Sequence, residues 1–256
     1  MSFFNKALAS VGIGAAKVDT KLAESSFVAG EEIKGIVEIT GGSIEQKIDE
    51  IYLTLLTNYI KESNDTKVHK QAVLEKKKIV DSFVIGVNEK KEIPFTLTLP
   101  YETPVSMGNT KVWLQTGLDI KNAVDPSDKD VVHVQPSPLV STIMSAAEQL
   151  GFRLRKVECE AAPYRWKTHY PFIQEFEFVP TSGSFRGKLD EIEMIFSNNT
   201  GNSVELVLQV DRKVRGLGSF LSEALEMDET FVKMRVTTQD LPGFKEQLDS
   251  TIRRYC

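Results

Sequence analysis

At 256 residues the chain is long enough for one large domain or for two that each bury a core of their own. Its 41% hydrophobic and 26% charged content is ordinary for a globular protein, and a formal net charge of −5 excludes the basic surplus of a dedicated nucleic-acid binder. Two cysteines, Cys159 and Cys256, form neither a disulfide framework nor a zinc motif, which points to a reducing compartment.

The first predicted element is a short amphipathic helix over residues 2–12, with Phe4, Ala7, Leu8 and Val11 on one side. The stretch is diluted by Ala, Ser and Gly, and its one cation, Lys6, follows Phe3 and Phe4; a secretory leader is therefore not expected. Gly12 and Gly14 end the helix, and the period then changes to two. Val18, Thr20 and Leu22 alternate with polar neighbours, as do Ile33, Val37 and Ile39. Over 91–99, Ile93, Phe95, Leu97 and Leu99 face one way, while Glu92, Thr96 and Thr98 face the other. Val112, Leu114, Leu118 and Ile120 repeat the pattern. Such segments predict half-buried strands of antiparallel sheets. Segment 48–60 is apolar on both registers and so is expected at a central position. Turn residues such as Ala29-Gly30, Gly41-Gly42 and Val87-Asn88 separate the strands, the mark of a sandwich or barrel.

The pattern breaks near residue 136. Pro136-Ser137-Pro138 ends a strand, Leu139–Leu150 has helical spacing, and Gly151 follows as a stop signal. All nine arginines lie at position 153 or later. The predicted domains are therefore 1–136, a helical linker 137–151, and 152–256. In the second, Phe172, Phe176 and Phe178 share a face, as do Ile192, Met194 and Phe196, and then Val204, Leu206, Leu208 and Val210. Gly216–Met227 is irregular. Phe244, Leu248, Ile252 and Tyr255 mark a terminal amphipathic helix.

Two stretches carry a resemblance. Phe27-Val28-Ala29-Gly30-Glu31-Glu32-Ile33-Lys34-Gly35-Ile36-Val37 resembles the hairpin of arrestin-like proteins, although Ala29 stands where those often carry proline. Ile93–Pro100 and Val112–Ile120, with Asp125-Pro126, resemble later strands of the same fold. The opening Met1–Thr20 and the order of segments along nearly the whole chain are similar to the bacterial sporulation-control family known as stage-zero M. That resemblance implies an all-β protein of two arrestin-like antiparallel β-sandwich domains with short N-terminal, interdomain and C-terminal helices. It also implies a non-enzymatic regulatory role at the onset of endospore formation.

No catalytic, metal or cofactor site is expected from the residues. Asp119, Asp125, Asp128 and Asp130 lack the spacing and central glycine of a calcium loop. His69, His133 and His169 form no ligand pair, and Cys159 with His169 is a weaker reading than a structural cysteine. Gly216-Leu217-Gly218 lacks the rest of a dinucleotide loop. Arg153, Arg155, Arg212, Lys213 and Arg215 form a candidate basic patch able to hold a phosphate-bearing partner through guanidinium forks. Pairing with Glu158, Glu160, Glu175 and Glu177 is the plainer alternative. Lys76-Lys77-Lys78 reads as a solvated strand edge. Phe3, Phe4 and Leu8 are candidate self-association residues. The chain is thus expected to be a cytoplasmic adaptor that binds other proteins and forms a homodimer, with a peripheral membrane or phosphoinositide binder as the rival.

Overall fold

The computed structural model describes residues 14–63, 66–120, 125–163, 166, 168–211 and 231–255. The helix expected over 2–12 and the irregular Gly216–Met227 segment lie outside them. The protein is all-β with a few short helices. It divides into two compact units: Met1–Thr57, Val73–Pro100 and Lys111–Val134 form the first, and Asn58–Ala72, Tyr101–Thr110 and Gln135–Cys256 the second.

The first unit contains two sheets. One is the three-stranded antiparallel set β1 (Lys17–Leu22), β3 (Glu32–Thr40) and β7 (Lys90–Thr98), with β3 central. The other runs β4 (Gln46–Ser63), β8 (Val112–Ile120), β9 (Ser127–Gln135) and β2 (Ser26–Val28), with β5 (Thr66–Val80) and β6 (Phe83–Ile85) also pairing with β4; the end of β4 from Asn58 and the start of β5 up to Ala72 are grouped with the second unit. β4 pairs with β5, β6 and β8, the central place expected for it, and Leu53, Leu55 and Leu56 are buried on its two faces. Alternation puts Ile33, Val37 and Ile39 of β3, Ile93, Phe95 and Leu97 of β7, Ile51, Leu53 and Leu55 of β4, and Leu114 and Leu118 of β8 inside. A buried polar link joins the layers: the hydroxyls of Thr20 on β1 and Thr116 on β8 lie 2.6 Å apart.

Two glycines hold this geometry. Gly30 has φ +96°, which a side chain would oppose, and its N–H donates to the Leu99 carbonyl at 2.9 Å. Glu31 locks the same turn by accepting from the Val28 N–H at 2.7 Å. Gly35 lies opposite Phe95 in the β3–β7 register, and a Cβ there would sit 2.7 Å from the phenyl ring. The ring occupies the space that the missing side chain leaves. Pro94, which has no N–H to donate, is tolerated because β7 is an edge strand.

The second unit is built on an antiparallel meander of β10 (Phe152–Ala161), β11 (Phe172–Pro180), β12 (Glu191–Ser197), β13 (Ser203–Asp211) and β14 (Phe231–Thr237). One face carries Val157, Phe176, Phe178, Ile192, Met194, Val204, Leu206, Leu208 and Val210. Against it pack α1 (Pro138–Gln149) and α2 (Phe244–Arg253), which bring Leu139, Ile143, Ala147, Phe244, Leu248 and Ile252 into the same core. Among the described residues the layer covering that face is therefore helical. The sequence signals bound α1 as expected. Ser137 caps it by accepting from the Val140 N–H at 3.3 Å, Pro138 opens it, and Gly151 at φ +95° follows its end. Val105 joins this core from the 101–110 segment, its backbone N–H and C=O each 2.8 Å from the Gln174 amide.

Candidate functional site

The other face of the meander carries the concentrated chemistry. Strict alternation on β10 would put every second residue on each side, but a β-bulge breaks the ladder. Leu154 pairs with Phe178 and Lys156 pairs with Glu177, which leaves Arg155 as the extra residue. A bulge re-aims the side chain it inserts. Arg155 is turned so that its Nε meets the Glu177 carboxylate and its other guanidinium nitrogen meets Glu191. Lys156 holds Glu158 at 2.6 Å.

Register explains why so many carboxylates meet. Glu177 lies opposite Glu193, Glu158 opposite Glu175, Glu193 opposite Gln209, and Glu191 opposite Asp211. Opposed residues of neighbouring strands project from the same face. One carboxylate oxygen from each of Glu177, Glu191 and Glu193 lies within 4.8 Å of the other two. Glu177 and Gln209 are buried, at 5% and 3% exposed. Among the described residues neither the Gln209 Oε1 nor the Glu175 Oε1 has a hydrogen-bond partner. Burial, reinforced by Glu193, pushes the Glu175 carboxyl up to about 8. Burial and then Glu191 push Glu193 up to about 7. Beside these acids a small apolar cluster of Ile173, Ile195 and Val207 is flanked by Trp166 and Phe231.

Of the residues singled out in the sequence, Phe3, Phe4, Leu8, Arg212, Lys213 and Arg215 lie outside the described residues. Arg153 is exposed on β10, and no ion pair to it is found among the described residues. Arg155, by contrast, is held by two carboxylates. Glu191, Glu193 and Gln209 escaped notice in the sequence. Their alternation with Ile192, Met194 and Val210 shows which way they point, but not that their surroundings are dry.

The other candidates resolve into local roles. Asp125 accepts from the Ile120 N–H at 3.0 Å and Asp128 from the Thr20 N–H at 2.7 Å, while burial and then Asp128 raise Asp130 to about 6. Lys76 sits 4.2 Å over the Tyr52 ring, Lys77 donates to the Thr96 carbonyl at 2.8 Å, and Lys78 reaches Glu50 and Asp81. The His169 ring packs on Tyr170. Cys159 is buried, with its sulfur 3.7 Å from the Thr110 hydroxyl, and burial pushes its thiol up to about 12. In a Cys256→Ser variant we expect Cys159 to resist aromatic-disulfide reagents at pH 8 and to react at once in denaturant, since the thiolate is the attacking form. Fast native labelling would contradict the burial.

The family model of the SpoOM protein, Spo0M, matches residues 4–214 of this chain. The chain belongs to the Spo0M family. The sporulation-control protein Spo0M of Bacillus subtilis (strain 168) is 42% identical over 246 residues, which are 96% of this chain and 95% of that protein. A crystal structure of Spo0M, sporulation control protein, from Bacillus subtilis matches with a TM-score of 0.89 at 40% identity, covering 95% of this chain and 100% of that one. The stretch matched by the Spo0M model includes all of the strands of the first unit and, in the second, α1 and β10 to β13. No helix among the described residues is long and apolar enough to cross a membrane.

Proposed function

We propose that this chain is a non-enzymatic regulator of sporulation that works as an adaptor, by binding other proteins. The observation that carries the reading is the end-to-end correspondence with a relative named for sporulation control, 42% identical over 246 residues. Strand edges supply the physical means. β1 and β7 are the outer strands of the three-stranded sheet, and β14 ends the meander. An edge presents unpaired N–H and C=O groups that another chain can complete. A second copy of the chain is one partner such an edge would accept, giving a two-fold dimer.

The test is affinity capture of the tagged full chain from sporulating cells, with mass-spectrometric identification and analytical ultracentrifugation of the purified protein. The expected result is a small reproducible set of captured proteins that is absent with an unrelated β-sandwich bait, together with a dimer at micromolar concentration. A capture profile indistinguishable from that bait, from a protein that sediments as a monomer, would overturn the adaptor reading.

A further inference from the structure

The acidic face of the second unit has donors of one kind only. Glu177, Glu191 and Glu193 each contribute one carboxylate oxygen within 4.8 Å of the others, and Gln209, directly opposite Glu193 on β13, adds a buried amide oxygen that no group among the described residues satisfies. A buried acceptor without a partner is costly and needs a reason. The charge balance points the same way. Among the described residues Arg155 is the cation bonded to this trio, through Glu177 and Glu191, and Glu193 has no ion pair of its own. Glu175, on the same face, adds a further buried oxygen without a hydrogen-bond partner among the described residues.

We infer that Glu177, Glu191, Glu193 and the Gln209 side-chain carbonyl form a binding site for one calcium-sized divalent cation on the sheet face of the second unit. An all-oxygen donor set selects hard cations over zinc or copper. Calcium holds its ligands at about 2.3–2.6 Å, so two oxygens on opposite sides of one ion stand about 5 Å apart; for magnesium that span is about 4 Å. Oxygens within 4.8 Å of one another can close on either span, so the donor set decides: calcium accepts a cage made largely of protein oxygens, whereas magnesium keeps most of its waters. Three carboxylates, one amide oxygen and water meet the coordination number of six to eight that calcium takes. The strands make the site rigid: three of the four ligands are tied in register across β11, β12 and β13. Arg155 is the placeholder. Its side chain, 43% exposed, can swing toward solvent as the ion enters. The inference goes beyond the adaptor reading and does not depend on it, because the cation is bound by the isolated chain.

The experiment is isothermal titration calorimetry of the full chain, stripped with chelator, against calcium chloride and in parallel against magnesium chloride. Thermal unfolding is followed with and without each salt. The expected result is saturable binding of one calcium per chain, magnesium weaker by about tenfold or more, and a higher melting temperature in calcium. In Glu191→Gln/Glu193→Gln, calcium affinity falls by about a hundredfold or more, while the chelator-treated variant melts no lower than wild type, having lost two crowded charges. Gln209→Leu removes the carboxamide while leaving the three carboxylates in place and weakens calcium by about tenfold, which tests the site should the double variant fold poorly. Absence of saturable calcium binding by the folded wild type would overturn the site, as would undiminished affinity in Gln209→Leu and in the folded double variant.

Discussion

Truncation of the chain after Gly243 is expected to unfold the second unit and leave the first standing. The cut removes α2, whose Phe244, Leu248 and Ile252 are fully buried against the meander and α1. Burying a side chain of this kind is worth about 1.5–3 kcal/mol, so three of them contribute roughly 5–9 kcal/mol. That is comparable with the whole stability of a typical domain, about 5–15 kcal/mol. The helix propensity of ten residues cannot compensate, since short helices depend on packing. The two tryptophans make the result readable, because Trp113 lies in the first unit and Trp166 in the second. In a Trp113→Phe background the Trp166 emission should lose its cooperative thermal transition on truncation. In a Trp166→Phe background the Trp113 transition should persist. A preserved Trp166 transition would show that α2 is an accessory to the core.

Phe95→Ala is expected to cost about 3–5 kcal/mol, the range for removing a buried phenyl and leaving a cavity. The ring is 7% exposed, stands between Ile93 and Leu97 on the inner side of β7, and lies over Gly35. Relaxation is limited because the backbone beneath the ring is already in contact with it. For a unit of this size the loss corresponds to a drop in melting temperature on the order of 10 °C or more. The drop should appear in the Trp113 transition, with the Trp166 transition much less affected. A variant that melts within about a degree of wild type by Trp113 emission would mean that β7 has the opposite register, since a one-residue slip exchanges the two faces of a strand.

Features that depend on near neighbours are legible in the order of residues. The inner residues of β7 follow from a period of two, because successive side chains of a strand leave opposite faces whatever lies beyond. The bounds of α1 follow from Ser137, Pro138 and Gly151, whose capping roles are local. The buried stripe Phe244, Leu248 and Ile252 follows from helical spacing. The resemblance carried by Met1–Thr20 and the Gly30 hairpin placed the chain in its family, which the matches along its length then showed. Tertiary structure alone decided the chemistry of the second unit's outer face. The bulge at Arg155 inserts a residue that periodicity has no means to announce, and it turns a candidate phosphate contact toward Glu177 and Glu191. Alternation shows that Glu177 and Gln209 point away from the core; it cannot show that they are dry, because dryness depends on residues brought over them from distant parts of the chain. The same holds for residues 58–72 and 101–110, grouped with the second unit by contacts that no local pattern encodes.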